Sequence, residues 1–89
     1  MAVTEALTQI RVHVRLFAAY REAAGATRLD APLPSDATVQ HLLHSLASRI
    51  PALETAPGLV AVNLTYAHRD APLHDGDEVA LIPPVSGGA

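Results

Sequence analysis

One stretch of this chain has the apolar period of a helix, and it constrains everything around it. Val39, Leu42, Leu43, Leu46 and Ile50 recur at the i, i+3, i+4, i+7 spacing that gathers one apolar stripe on an α-helix. Thr38 is a good N-cap, Arg49 suits the last turn, and Pro51 prevents continuation. Elsewhere the period is two. Ile10, Val12, Val14 and Leu16 alternate with Arg11, His13 and Arg15, which predicts a half-buried strand from Ile10 to Phe17. Phe17 breaks the alternation by placing a large apolar group on the polar face. Ala18 to Ala24 is rich in helix formers and ends at Gly25, so one or two helical turns are expected there. Thr27 to Leu33 returns as a second strand, closed by Pro32 and Pro34. Pro51 to Gly58 is a loop or a short second helix. Leu59 to Leu64 reads as a strand, with Thr65 to Ala67 as another after a turn near Asn63. His74-Asp75-Gly76-Asp77 is a turn signal leading into a last strand, Glu78 to Ile82. Strand, strand, helix, strands is an α+β order: a single sheet covered by one main helix, not a βαβ series.

With 89 residues the chain is one domain. We expect a leader at 1–9, the folded domain at 10–82 and an extended tail at 83–89. Only Phe17, Tyr20 and Tyr66 are aromatic, so the core must be built from Val, Leu and Ile. Cysteine is absent, which excludes disulfides, thiolate zinc sites and a cysteine nucleophile. The net charge is −3, with six Arg and no Lys. No basic patch of the kind a nucleic-acid binder carries is visible. No apolar run reaches the roughly 18 to 20 residues that cross a bilayer. The start lacks a basic segment followed by an apolar one, so a cytoplasmic location is expected. No constellation of acid, base and nucleophile stands out, and a self-contained enzyme is not expected.

The end of the chain reads Pro83-Pro84-Val85-Ser86-Gly87-Gly88-Ala89. Two prolines fix φ and remove two donors, so the backbone leaves the last strand extended and cannot pair further. Two glycines then accept almost any φ and ψ and let another protein's backbone approach closely. A stiff spacer and a thin, side-chain-free end suit the threading of a terminal carboxylate into an enclosed site. Small residues are also common at plain chain ends, so composition alone leaves both readings open.

The wider pattern separates them. Leu16-Phe17-Ala18, Arg21-Glu22-Ala23-Ala24-Gly25, Ala37-Thr38-Val39, Val62-Asn63, Leu73-His74-Asp75-Gly76-Asp77-Glu78-Val79-Ala80 and Pro83-Pro84-Val85-Ser86-Gly87-Gly88 closely resemble the small subunit of molybdopterin synthase, within the MoaD/ThiS family of sulfur carriers. The resemblance runs from about Ile10 to Gly88. It implies a ubiquitin-like β-grasp fold and a carrier that binds no cofactor of its own. It also implies that a ubiquitin-activating-like adenylyltransferase uses ATP to activate the carboxylate of Gly88, and that a sulfur donor protein converts it to a thiocarboxylate. The tail would then enter the large subunit of a heterotetramer, two small and two large subunits, and give its sulfur to cyclic pyranopterin monophosphate. Gly88 and Gly87 would be the reactive end. Phe17, Arg21, Tyr66, Ile82, Pro83, Pro84, Val85 and Ser86 would contact the partner. Carriers for thiamine, cysteine or tRNA thiolation are an alternative, as is a ubiquitin-like modifier or plain binding module.

Ala89 departs from that pattern, because carriers of this kind need a free carboxylate on the second glycine. One extra residue displaces the carboxylate by up to about 3.5 Å. Trimming by a peptidase, tolerance by the partner enzyme and loss of activity compete as explanations, and we expect trimming. Phe17 and Ile82 share the nominally wet sheet face, where large apolar groups suit a partner surface but are also common singly. Arg21 suits either an acidic partner residue or solvent. His41 and His44 lie i, i+3 on the helix, yet no third ligand is implied, so no metal site is expected. Asp75-Gly76-Asp77-Glu78 does not match a calcium loop. Ser86 has no visible base, so it is not expected to act as a nucleophile.

Overall fold

The computed structural model describes residues 9–55 and 58–84, without the Thr55 side chain. Eight elements follow one another: β1 (Gln9–Leu16), α1 (Ala18–Ala24), β2 (Arg28–Pro34), α2 (Val39–Leu46), α3 (Ala52–Thr55), β3 (Leu59–Val62), β4 (Thr65–Tyr66) and β5 (Glu78–Ile82). The strands form a single sheet in the order β2-β1-β5-β3-β4. Only β1 and β5, from opposite ends of the chain, run parallel, with Val14 opposite Val79 and Leu16 opposite Leu81. The other neighbours are antiparallel. This is the mixed sheet with one principal helix of an α+β, ubiquitin-like β-grasp fold.

The two apolar periods meet in one core. Val12, Val14 and Leu16 of β1, Ala31 and Leu33 of β2, and Val79 and Leu81 of β5 face Val39, Leu42, Leu43 and Leu46 of α2. Tyr20, Ile50, Leu53 and Leu73 close its margins. Among the described residues, no charged side chain is buried.

Where the elements differ from sequence expectation, the cause is local. β1 runs one residue earlier at each end, and Phe17 is the extended N-cap of α1, with φ −122° and ψ 149°. Pro32 lies inside β2 opposite Arg11 and does not close it, while Pro34, opposite Gln9, is its last residue. An edge strand in an antiparallel pair leaves every second N–H facing outward, so proline is tolerated at alternating positions. α2 stops at Leu46, four residues short of Ile50, so Arg49 follows the helix and does not occupy its last turn. Pro51 disfavours helical backbone at Ile50, and the chain tightens through Arg49 N–H to Leu46 C=O at 3.0 Å while still burying Ile50. The segment after Pro51 holds the short helix α3. β3 ends at Val62 because Asn63 and Leu64 form the turn, both with positive φ.

Helix α2 begins with its donors satisfied. Val39 N–H meets Ala71 C=O at 3.0 Å, and Gln40 N–H meets Arg69 C=O at 2.7 Å. His41 N–H donates to Thr38 Oγ1 at 3.4 Å, while Thr38 N–H donates back to His41 Nδ1 at 3.0 Å. This reciprocal cap uses histidine where glutamate or glutamine is usual. His44 is instead engaged by Glu54, Nδ1 to Oε2 at 2.8 Å.

The acidic turn before β5 is structural. Arg11 N–H donates to Asp75 Oδ1 at 2.8 Å, and Gly76 takes φ +84° there. Asp77 accepts from His74 N–H at 2.8 Å and from Asn63 Nδ2 at 3.0 Å. Glu78 N–H donates to Asn63 Oδ1 at 3.0 Å. These bonds pin the starts of β1 and β5 to the β3–β4 turn, and with them the direction in which β5 runs toward the tail.

Candidate functional site

The candidate site is the sheet face away from α2, together with the base of the tail. Residues paired across strands share a face. Arg15 is opposite Ala80, Ala80 opposite Ala61, Ala61 opposite Tyr66, and Ile82 opposite Leu59. The outer face thus divides in two. Its β2–β1 half is charged: His13 Nδ1 lies 2.9 Å from Asp30 Oδ1, and Arg28 lies 3.9 Å from Glu78. The hydrogen bond from His13 holds the Asp30 carboxyl below its ordinary value; desolvation opposes this, and the charges of His13, Arg11 and Arg28 reinforce it. Beyond Glu78 at the start of β5, its β5–β3–β4 half is apolar.

On that apolar half, Phe17, Tyr66 and Ile82 come together with Ala61, Leu64 and Ala80 around a shallow depression of about 260 Å³, with Arg15 and Glu78 at its border. Exposure is high for large apolar groups: 39% for Phe17, 54% for Leu59, 71% for Tyr66 and 94% for Leu64. The Arg15 guanidinium carbon stands 5.7 Å from the Phe17 ring centre, within cation–π reach. Phe17 is set by its successor, since Ala18 takes φ +50°, a left-handed conformation that L-residues adopt at a cost of about 1–2 kcal/mol. A cluster of exposed, aromatic-rich apolar groups of this kind is what a protein partner desolvates.

Three sequence-derived candidates, Phe17, Tyr66 and Ile82, are therefore neighbours. Arg21 is not; it lies on the exposed side of α1, outside the depression. Pro83 is half-buried and Pro84 exposed where the chain leaves the sheet. Val85, Ser86, Gly87 and Gly88 lie outside the described residues. Sequence reasoning missed Leu59 and Leu64. Leu59 follows from its register with Ile82, which a single sequence does not reveal. Leu64 had a signal: Asn63 before it is a favoured first residue of a two-residue hairpin turn.

A larger cleft, of about 490 Å³, opens on the helix side, where Leu43, Leu53 and Leu81 form part of its wall and His68, Arg69 and Asp70 its polar portion. Among the described residues, no group of three or more His, Cys, Asp or Glu is placed to hold a metal ion. No helix among them is long and apolar enough to cross a membrane.

Comparison with known proteins places this surface in context. Residues 14–88 match the ThiS family. The molybdopterin synthase sulfur carrier subunit of Escherichia coli (strain K12) is 44% identical over 80 residues, covering 86% of this chain and 99% of that protein. Among solved structures, a putative molybdopterin converting factor, subunit 1, from Pyrococcus furiosus superposes with a TM-score of 0.76 at 31% identity, over 85% of this chain and 99% of that one. The small archaeal modifier SAMP1 from Haloferax volcanii gives 0.74 at 34% identity, over 88% and 99%. A family match that spans the β-grasp domain and runs through the paired glycines leaves one conclusion: the chain belongs to the ThiS family of small β-grasp proteins.

Proposed function

We infer that this chain is the sulfur carrier subunit of molybdopterin synthase, delivering sulfur from a thiocarboxylate at its C-terminal glycine to cyclic pyranopterin monophosphate. The observation that carries the reading is where the family match ends: on Gly88, after both glycines and before Ala89. The curated carrier relative supports the same assignment over nearly its whole length.

The chemistry belongs to a carried group. A carboxylate is a poor electrophile; attack of its oxygen on the α-phosphorus of ATP, with pyrophosphate leaving, makes an acyl adenylate. Sulfide-level sulfur from a donor protein then attacks the acyl carbon, AMP leaves with the electrons of the broken C–O bond, and a thiocarboxylate remains. As each sulfur bonds to the pterin precursor, water attacks the acyl carbon and the C–S bond breaks, which returns the carrier to its carboxylate; two deliveries complete a dithiolene. The carrier itself contributes the reactive atom, the thin arm of Gly87 and Gly88, and a docking face. Phe17, Tyr66 and Ile82 would seat the large subunit beside the base of the arm at Pro83 and Pro84, with Val85 and Ser86 inside the partner's channel. The working assembly is a heterotetramer of two small and two large subunits in the cytoplasm. Ala89 is removed before activation, because a Cβ and a displaced carboxylate do not suit a channel shaped for glycine.

The test uses intact mass. Full-length protein and a form ending at Gly88 are incubated with the cognate adenylating enzyme, ATP and a sulfur source. The Gly88 form should gain the mass of sulfur replacing oxygen, and the Ala89 form should not. Sulfur on neither form refutes the carrier reading; sulfur on both refutes trimming.

A second reading, a ubiquitin-like modifier, is favoured by the likeness to the Haloferax small archaeal modifier. It uses the same activated carboxylate but hands it to lysine amines on other proteins. Isopeptide-linked conjugates in cell extract, with no sulfur transfer to the pterin precursor, would select it.

A further inference from the structure

We propose that Gly58 and Tyr20 are positioning residues for the tail, a backbone seat that sets the direction in which Pro83 and Pro84 leave the sheet. The inference deepens the carrier reading and rests on it for its functional consequence.

Gly58 stands at the start of β3, one residue before the Leu59–Ile82 pair. The β3–β5 ladder has no further donor on the β5 side, because Pro83 lacks an N–H. The two backbones nevertheless stay in close contact there. A Cβ on Gly58 would fall on the Ile82 carbonyl oxygen, and it would lie 2.8 Å from both Pro83 C and Pro84 N. Those neighbours are all backbone, so no side-chain rotation can make room. Glycine is required at this position by space, since a side chain would push the tail base off the sheet.

The Gly58 backbone is itself held. Its N–H donates to Tyr20 Oη at 3.0 Å. Tyr20 is 2% exposed and belongs to the core, so the hydroxyl is delivered from a fixed point on α1. Tyr20 holds Gly58, and Gly58 in turn supports Ile82, Pro83 and Pro84. Direction matters because the arm is short. Gly88 is four residues beyond Pro84, a reach of at most about 14 Å. The fixed φ of two prolines carries a change at the base outward. A swing of about 20° could then move the end by several ångströms, when misplacement by about 1 Å can already slow positioned chemistry about 100-fold.

The experiment compares wild type, Gly58→Ala and Tyr20→Phe, the second variant keeping the buried ring if the first does not fold. Amide hydrogen exchange and nuclear Overhauser contacts are measured on the free proteins. Tyr20→Phe should raise exchange at Gly58 about tenfold or more, with Val12 and Val14 unchanged, and Gly58→Ala should lose the contacts from residue 58 to Pro83 and Pro84. Sulfur transfer is then measured in single turnover, with thiocarboxylate-loaded carrier and saturating large subunit. Both variants should slow transfer about tenfold or more while holding their affinity for the large subunit within about threefold. Ile50→Val, a core change away from the tail, should transfer at the wild-type rate.

A Gly58 amide that exchanges as fast in wild type as in Tyr20→Phe, or variants that keep the wild-type contacts at Pro83 and Pro84, overturns the inference whatever pathway the chain serves. Displaced prolines with an unchanged transfer rate overturn the positioning role. A wild-type protein that never accepts sulfur refutes the carrier reading, and the exchange and contact measurements still decide the seat.

Discussion

Replacing Leu64 by glycine should make this protein more stable, although it removes a large apolar side chain. Asn63 and Leu64 both have positive φ, 51° and 72°, in the two-residue turn between β3 and β4. Such a turn favours glycine at its second position. Leucine there bears a left-handed penalty of about 1–2 kcal/mol. Because Leu64 is 94% exposed, it returns almost no burial energy. Glycine removes the penalty but adds about 0.5–1 kcal/mol of unfolded-chain entropy, leaving a net gain of about 0.5–1 kcal/mol. For a domain this small that corresponds to a rise of about 2–8 °C in Tm. Thermal unfolding followed by circular dichroism measures it, with Leu64→Ala as the control that keeps the backbone penalty and should stay near wild type. A Leu64→Gly protein melting at or below the alanine variant would refute the argument that the turn is strained. The same variant should bind the large subunit more weakly, because strain retained at an exposed apolar tip is the signature of a contact surface.

Three further outcomes follow from particular residues. Thr38→Ala removes the acceptor for His41 N–H and should lower stability by about 0.5–1 kcal/mol in denaturant unfolding, at the low end of the cap range because that bond is 3.4 Å long. The Asp30 carboxyl, hydrogen-bonded by His13, should titrate below the ordinary aspartate value by NMR and move back up in His13→Ala. Its folded value is depressed, so the contribution of this pair is present above the ordinary range and is lost as pH falls through the depressed value. An Asp30 titration unaffected by His13→Ala would remove that account. Phe17→Asp should leave the far-ultraviolet spectrum unchanged and weaken large-subunit binding by about tenfold or more, since it places a charge in the wall of the apolar depression; unchanged affinity by titration calorimetry would remove Phe17 from the docking surface.

Much of this molecule was legible from one sequence because its elements declare themselves locally. A period of two in Ile10–Leu16 and a helical spacing from Val39 onward state which side of each element must leave water, and the buried side chains of β1 and α2 are those residues. Gly25 marked the end of α1 by the left-handed backbone it permits, whereas Pro51 only bounded α2 from a distance, since that helix stops at Leu46. The Pro-Pro spacer and the paired glycines left a delivery arm and a plain chain end both open, and only the resemblance across the whole chain favoured the arm; the residues from Val85 onward lie outside the described residues.

What the sequence could not decide was which elements lie side by side. The parallel pairing of β1 with β5 and the antiparallel pairing of β5 with β3 join segments from distant parts of the chain, and nothing local encodes their register. That register puts Leu59 beside Ile82, gathers Phe17, Tyr66 and Ile82 on one half-face, and leaves Arg21 off it. It also brings Gly58 against the backbone of Ile82, Pro83 and Pro84, so that a residue read as the end of a loop becomes one that no side chain can replace. Apolar periodicity determines which way a side chain faces; only burial of the whole core, with every strand competing for the same neighbours, determines what it faces.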